Sequence, residues 1–139
     1  MTKFRFRLQQ LLEYRRLQEK WAKDAYMEAV SRRIQAETEV EFVKSRRSLA
    51  QKSHPNGLQE LVSLDTYLTK LDDDQRAQET ALSVVLDEVE SALQEWTTAK
   101  QNAAAIEKLR ESEYSDWKRT LERKEQSDLD EWSSQRRAA

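Results

Sequence analysis

The side chains that could do chemistry in this chain are few, and they do not form a catalytic set. The single histidine, His54, stands beside Pro55 in a predicted turn, where a solvated turn residue is a better interpretation than a base or a ligand. Cysteine is absent, which excludes disulfides and thiolate metal sites and is compatible with a reducing compartment. The sequence therefore predicts no catalytic residue, no cofactor and no enzyme.

A run of three carboxylates, Asp72-Asp73-Asp74, raises the question of a cation site. The glycine and the ligand spacing of an EF-hand loop are missing around it. Without cysteine or a second histidine, a transition-metal site would need carboxylates alone. The only glycine, Gly57, leaves no glycine-rich phosphate loop. We interpret the three aspartates as a solvated acidic face and predict no metal site.

Nucleic-acid and membrane partners can also be weighed from charge and hydropathy. Paired arginines at 15–16, 32–33 and 46–47 are separated by acidic residues, and the sequence pI is about 5.6. DNA-binding coiled coils need a dense basic stretch, so a nucleic-acid partner is not expected. No apolar run is long enough for a signal-peptide core or a membrane span.

The composition favours long helices over a compact globule. Charged residues make up 36% of the 139 residues, while glycine and proline occur once each. Turns draw on glycine and proline, so the chain has material for about one sharp reversal. High charge with few helix breakers is typical of long paired helices, and the apolar periodicity described below argues against disorder.

The reversal is predicted at Ser53-His54-Pro55-Asn56-Gly57. Proline ends the preceding helix, Asn-Gly supplies a turn, and Asn56 followed by Gln59 resembles a capping box. The prediction is one coiled-coil domain over residues 1–139. It consists of a first helix over about 3–52, a turn at 53–57 and a second helix over about 58–136.

A heptad pattern runs through the second helix. Its apolar and small residues alternate three- and four-residue spacings, which indicates a coiled-coil seam. The predicted seam is Leu61, Leu64, Leu68, Leu71, Gln75, Gln78, Leu82, Val85, Val89, Ala92, Trp96, Ala99, Ala103 and Ile106. Past Ile106 the register is expected to loosen to Leu109, Glu113, Trp117 and Leu121. The first helix is noisier, with a predicted inner face of Leu8, Leu12, Ala22, Ala25, Ala29, Ala36, Val40, Val43 and Ala50.

The two helices are expected to pack antiparallel within one chain. Residues 1–50 carry 12 basic and 7 acidic side chains, and residues 51–100 carry 4 basic and 10 acidic, so the halves attract each other. With the midpoint at residue 55, residue i faces residue 110 − i. That register places small residues of one helix against large residues of the other, and polar residues against polar residues. It favours a monomeric hairpin over a parallel homodimer.

The second helix is predicted to be the longer one, and two departures from a straight helix are considered. If it bends, the bend is expected at residues 71–74, because adjacent aspartates are poor helix formers. A rival packing folds residues 110–137 back into a three-helix bundle, but no glycine or proline is present there to turn the chain.

The ends of this hairpin carry more large apolar groups than a two-helix seam buries, which is typical of docking surfaces. The alternation of Phe4, Arg5, Phe6 and Arg7 resembles a strand, but we interpret it as coincidence at the start of a helix capped by Thr2. In that interpretation Phe4 and the leucines at 8, 11 and 12 face the second helix near residues 99–106. Phe6 and the arginines then point outward.

Together these features resemble the flagellar export protein FliJ family. The opening Phe4-x-Phe6-x-Leu8-x-x-Leu11-Leu12-x-x-Arg15-Arg16 and the closing Glu122-Arg123-Lys124-Glu125-Gln126-x-x-Leu129-Asp130-Glu131 carry the resemblance. The spacing of Tyr67, Leu71, Trp96 and Leu109 between them is similar as well. The three acidic residues at 72–74 depart from the family pattern.

The resemblance implies a cytoplasmic antiparallel coiled coil without enzymatic activity. Its implied role is the central stalk of flagellar type III export, where it engages the hexameric export ATPase, the membrane export gate and export chaperones at the inner face of the cell membrane. The residues expected at the ATPase end are Phe4, Arg5, Phe6, Arg7, Arg15, Lys124, Asp128, Asp130 and Glu131. Those expected at the hairpin tip, for the export gate, are Val43, Tyr67, Leu71 and Gln78.

Other functions remain open at this point. One alternative is a structural coiled coil that acts as a spacer or a homodimerising adaptor. Another is the equivalent stalk protein of a virulence type III secretion system, although those proteins generally lack the opening F-x-F-x-L.

Overall fold

The structure is a computed structural model that describes residues 3–138, and over that range it consists of two α-helices and no strand. The first helix, α1, spans Gln9–Gln51, and the second, α2, spans Leu58–Ala138. The helices pack against each other as an antiparallel hairpin, since Arg32 pairs with Glu88 and Arg47 pairs with Asp72. The predicted all-α hairpin with a longer second helix is confirmed.

Two compact units divide the chain. The terminal unit contains Met1–Lys20 and Thr98–Ala139, and the hairpin unit is Trp21–Thr97. Each unit holds one stretch of α1 and one stretch of α2. That the whole chain is a single domain stays a prediction.

The core of the hairpin unit is made of small and branched residues that alternate along both helices. One cluster joins Ala29 to Val89 and Ala92. A second joins Val43 and Ala50 to Leu71, which is only 2% exposed. Alanine on one helix lets the larger side chain of the other approach, as interdigitating layers require. The predicted seam of α2 is at least half buried from Leu64 to Ile106.

The predicted inner face of α1 is correct at most positions but incomplete. Ala25 is exposed, and the seam position next to it is taken by Tyr26, whose ring stacks on that of Trp96 with centroids 5.4 Å apart. Charged side chains fill further heptad positions of α1 and are half buried there. The half-buried residues that complete the seam are Arg15, Glu19, Tyr26, Arg33 and Arg47.

The predicted register, residue i facing 110 − i, is wrong. Arg32 pairs with Glu88 at 3.5 Å and Arg47 with Asp72 at 2.9 Å, whereas that register placed residues 78 and 63 opposite them. The cause lies at the start of α2, where residues 58–63 are all exposed. The first turns of α2 therefore do not pack against α1. The residue about which the two helices pair symmetrically lies later in the chain than the predicted residue 55.

The turn between the helices uses its glycine as the sequence predicts. Gly57 has φ of +129°, a conformation that side-chain-bearing residues rarely adopt. The capping residue differs from the prediction, since the backbone N–H of Asn56 donates to the Glu60 carboxylate at 2.7 Å and Gln59 takes no part in that bond. Glu60 satisfies a backbone donor ahead of the helix, which fixes where α2 begins.

From Leu58 to Ala138 α2 is uninterrupted, so helix continues through residues 71–74. The rival three-helix bundle is wrong, because residues 122–138 are helical and exposed throughout. Of the looser register expected past Ile106, only Leu109 is wrong, since it is exposed and Arg110 takes its place in the half-buried stripe. The other three expected positions, Glu113, Trp117 and Leu121, are half buried.

Residues 4–8 precede α1 without being helical, and we call them the N-terminal strap. Their burial alternates, since Phe6 is buried, Phe4 and Leu8 are half buried, and Arg5 and Arg7 are exposed. Residues 4–6 are neither helix nor turn, and residues 7 and 8 form a turn into α1, in which the Gln9 N–H donates to the Phe6 carbonyl oxygen at 3.2 Å. A helix would place Phe4 and Phe6 on nearly opposite faces. Burial therefore alternates along the strap without helix, and the prediction of a helix from residue 3 is wrong; Thr2 lies outside the described residues.

Neither helix contains, within residues 3–138, an apolar stretch long enough to cross a bilayer.

Candidate partner-docking surfaces

The N-terminal strap is held by aromatic contacts with α2 in the terminal unit. The Phe4 ring meets the Tyr114 ring edge to face with centroids 5.2 Å apart, and its centroid lies 5.8 Å from that of Trp117. The Arg110 guanidinium carbon lies 5.8 Å from the Phe4 centroid, and its Nε donates to Gln9 Oε1 at 3.2 Å. Tyr114, Trp117 and Arg110 thus hold Phe4, and with it the strap, against α2 at the start of α1.

Phe6 is 8% exposed, so the prediction that it points outward to a partner is wrong. A ring buried in the monomer cannot dock without opening the strap, and Phe4 is likewise engaged by its aromatic neighbours. Phe4 and Phe6 would therefore support a surface that binds the ATPase only indirectly, by holding the strap in place. The heptad pattern does not identify Arg110 and Tyr114 as contacts of the strap. The presence of an aromatic residue three positions before Trp117 is the sequence feature that indicates this cluster.

Three cations ahead of α1 are free to meet a partner. Lys3, Arg5 and Arg7 are exposed, and among residues 3–138 no ion pair involves them. Arg15 is different, since it is half buried and its Nη1 donates to Gln18 Oε1 at 3.2 Å. The neighbouring Arg16 pairs across the seam with Glu107. Residues 3–8 thus present three exposed cations and no acidic side chain.

The end of α2 forms a second surface of the terminal unit. All residues from 122 to 138 are exposed, which includes the predicted partner residues Lys124, Asp128, Asp130 and Glu131. Leu129 and Trp132 are 59% and 58% exposed. They lie three positions apart on one side of the helix, and the Arg136 guanidinium covers the Trp132 ring at 5.1 Å. Large exposed apolar groups among charged side chains of both signs suit a protein partner.

At the turn end of the hairpin unit, the predicted docking residues divide into core and surface. Val43 and Leu71 are core residues of one cluster, so their prediction as gate contacts is wrong. Gln78 is half buried, and only Tyr67 is exposed. The exposed apolar residues that sequence reasoning missed here are Leu49, Leu58, Leu61 and Val62. Leu49 lies near the end of α1, and the other three lie where α2 has begun but its seam has not.

Within residues 3–138, no group of three or more histidine, cysteine or acidic side chains could hold a metal ion. Of the three adjacent aspartates, Asp72 is engaged by Arg47, while Asp73 and Asp74 are exposed. His54 is exposed in the turn.

Comparison with known proteins supplies the family. A search of curated proteins and a search of solved structures found no match. The profile described as "Flagellar FliJ protein" matches residues 4–139, which is nearly the whole chain. Members of this family are components of the flagellar protein export apparatus. The matched residues include both the strap and the exposed end of α2. The chain belongs to the flagellar FliJ protein family.

Proposed function

We propose that this protein is the non-enzymatic stalk and adaptor of flagellar type III export, and that its terminal unit engages the hexameric export ATPase. Family membership supports the general role. The single observation that carries the proposed contact is the exposed end of α2, where Leu129 and Trp132 project from an unpaired helix. Groups of this kind anchor protein interfaces when a partner buries them.

The strap adds charge to the same unit. Arg5 and Arg7 are exposed, and their guanidinium groups suit carboxylates on a partner surface. Such charges raise the association rate and set orientation more than they add affinity. Leu129 and Trp132 then supply most of the binding energy, and the strap directs the approach.

The turn end of the hairpin unit is the proposed site for the export gate and for export chaperones. Leu58, Leu61, Val62 and Tyr67 provide an exposed apolar patch there, which replaces the buried Val43 and Leu71 as the docking surface. The two partner classes thus use different units of the chain. The protein is cytoplasmic in this proposal, and it reaches the inner face of the membrane by binding the gate.

A pull-down with separate baits tests the proposal. The purified export ATPase, the cytoplasmic part of the export gate and an export chaperone are each immobilised. L129A/W132A is expected to reduce ATPase retention and leave gate retention unchanged, while L61S/V62S is expected to do the reverse. All four residues are exposed, so circular dichroism should show both variants folded. Failure of the folded wild-type chain to bind the ATPase contradicts the proposal.

A further inference from the structure

An uncharged stripe runs along α1 on the side opposite the seam. It lies wholly in the hairpin unit, every member is exposed, and its four large residues are 51–71% exposed. In a chain of which 36% is charged, seven successive positions of one helical face without a charge form a distinct surface. We call it the outer stripe, and its members are Met27, Ser31, Ile34, Thr38, Phe42, Ser45 and Leu49.

The spacing of the outer stripe describes how a partner helix would lie on it. Its steps are four, three, four, four, three and four residues, so Met27, Thr38 and Leu49 are separated by eleven residues each. An eleven-residue repeat is close to the natural period of an α-helix and keeps a stripe nearly straight. A second helix can therefore follow the stripe over its whole length.

The outer stripe is also symmetric about Thr38. Both the spacing and the chemistry are the same in either direction, with apolar residues at both ends, then serine, then apolar residues beside the threonine. We propose that the outer stripe binds the outer stripe of a second copy of this chain, antiparallel, with a two-fold axis at Thr38. That axis pairs Met27 with Leu49 of the second copy and Ile34 with Phe42 of the second copy. Serine meets serine and threonine meets threonine, as an isologous interface requires.

Burial of the Thr38 hydroxyl between the two copies leaves no hydrogen-bond donor without an acceptor. Thr38 Oγ1 already donates to the Ile34 carbonyl oxygen at 2.8 Å within its own helix. A hydroxyl satisfied in this way can be covered by a second helix without losing a hydrogen bond. The small hydroxyl layers let the backbones approach, and the large apolar layers between them fill the space.

The charges that flank the stripe fit this pairing on one side. The two-fold axis brings Glu28 near Arg46 of the second copy, twice by symmetry, and Arg46 now lies over the Phe42 ring at 4.4 Å. On the other side Glu37 and Glu41 are already paired within their own chain, with Arg33 and Lys44. Lys23 and Lys52 of the second copy approach each other at the ends, which opposes pairing and weakens as salt rises.

The size of the stripe sets the expected affinity. Residues 27–49 form a single helix face, which is smaller than a standard interface of roughly 800 Å² per partner. We expect a dissociation constant in the range of about 10–100 μM, and the monomeric hairpin predicted from sequence is then the dilute form. This inference does not depend on the proposed function, and the test below uses only the purified chain.

Sedimentation velocity over a concentration series tests the two-fold axis. The wild-type chain is expected to shift from a 16.5 kDa monomer toward a dimer as concentration rises. T38D places two like charges on the axis and should weaken association at least tenfold. T80D is the matched control, because Thr80 is also exposed and donates to the carbonyl oxygen four residues earlier. T80D should associate like the wild type.

Two combinations test the orientation. T38D and T38K alone should each be monomeric, and a 1:1 mixture should regain the dimer, since the two charges meet only on a two-fold axis at residue 38. The chain has no cysteine, so T38C should form an intermolecular disulfide with itself, whereas M27C should do so only when mixed with L49C. A wild type that is monomeric up to about 1 mM overturns the proposal. So does a dimer unaffected by T38D, or one in which M27C links to itself.

Discussion

The ring of Phe4 meets the ring of Tyr114 edge to face, with centroids 5.2 Å apart, and this contact holds the N-terminal strap against α2. Phe6 follows two residues later and is buried as well. The strap thus replaces the first turns of the helix that sequence periodicity predicts, and it places the exposed Arg5 and Arg7 beside aromatic rings that are buried or half buried.

Alanine substitutions in the strap should rank by burial. F6A removes a buried ring at a chain end, so we expect a loss of about 2 kcal/mol in the free energy of unfolding, below the 3–5 kcal/mol of a central core site. F4A should cost about 1 kcal/mol, since Phe4 is half buried and loses mainly its aromatic contacts. Chemical denaturation followed by circular dichroism measures both.

L129A is the control for these two variants, because Leu129 is exposed and its truncation should change stability by less than about 0.5 kcal/mol. A larger loss for F4A than for F6A would contradict the burial of Phe6 within the strap.

The turn makes a separate prediction. G57A should destabilise the protein by about 1–2 kcal/mol, because alanine is strained at φ of +129°. Crowding cannot be the cause, since a Cβ at this position meets nothing within 4 Å. Thermal unfolding compared with S53A, an exposed neighbour in the same turn, measures the effect. An unchanged melting temperature for G57A would mean that the turn relaxes to another conformation.

The register of the hairpin unit can be tested by cross-linking. Because the chain lacks cysteine, A29C/V89C carries only two thiols, and these residues share one core cluster. We expect a rapid intramolecular cross-link in that variant. A29C/A81C represents the register that sequence symmetry predicts, and it should remain unlinked because Ala81 is exposed. Linking of the second pair in preference to the first would restore the symmetric register.

The seam of α2 could be predicted because its heptad positions from Leu64 to Ile106 hold apolar or small residues at every position except Gln75 and Gln78. The seam of α1 could not be, since charged residues such as Arg33 and Arg47 occupy positions where periodicity looks for apolar ones. Such side chains bury their aliphatic stems and leave the charge near a partner, as Arg47 does with Asp72. A hydropathy scale scores these residues by their charged groups alone. It therefore underestimates how far their side chains are buried on α1.

The docking surfaces were predicted less well than the helices, for a related reason. Phe6 and Leu71 have the residue types of a docking surface, but their exposure depends on the path of the strap and on the register of the helices. Neither can be obtained from spacing alone. The sequence predicts Leu58 at the start of the second helix and Leu61 in its seam, on the assumption that the helix and its packing begin together, whereas both residues are exposed.

Charge reversal in the strap should weaken ATPase binding without unfolding the chain. R5E/R7E changes two exposed cations, and we expect a loss of about three- to tenfold in affinity at low salt. The difference from wild type should shrink as salt rises, because exposed charges are screened over about 8–10 Å. K23E/K70E reverses two exposed lysines of the hairpin unit and should bind like the wild type. Equal weakening by both variants would indicate a nonspecific charge effect.

The proposed contact between the end of α2 and the export ATPase is tested most directly by measuring ATP hydrolysis. The purified export ATPase is titrated with three versions of this protein, and its rate of hydrolysis is recorded. The wild type is expected to raise the rate with saturation. L61S/V62S, altered only at the turn end, should match it, while L129A/W132A should need at least tenfold more protein for half-maximal stimulation. The proposed contact is contradicted if the folded wild type leaves the rate of hydrolysis unchanged, or if L61S/V62S is impaired in stimulating it and L129A/W132A is not.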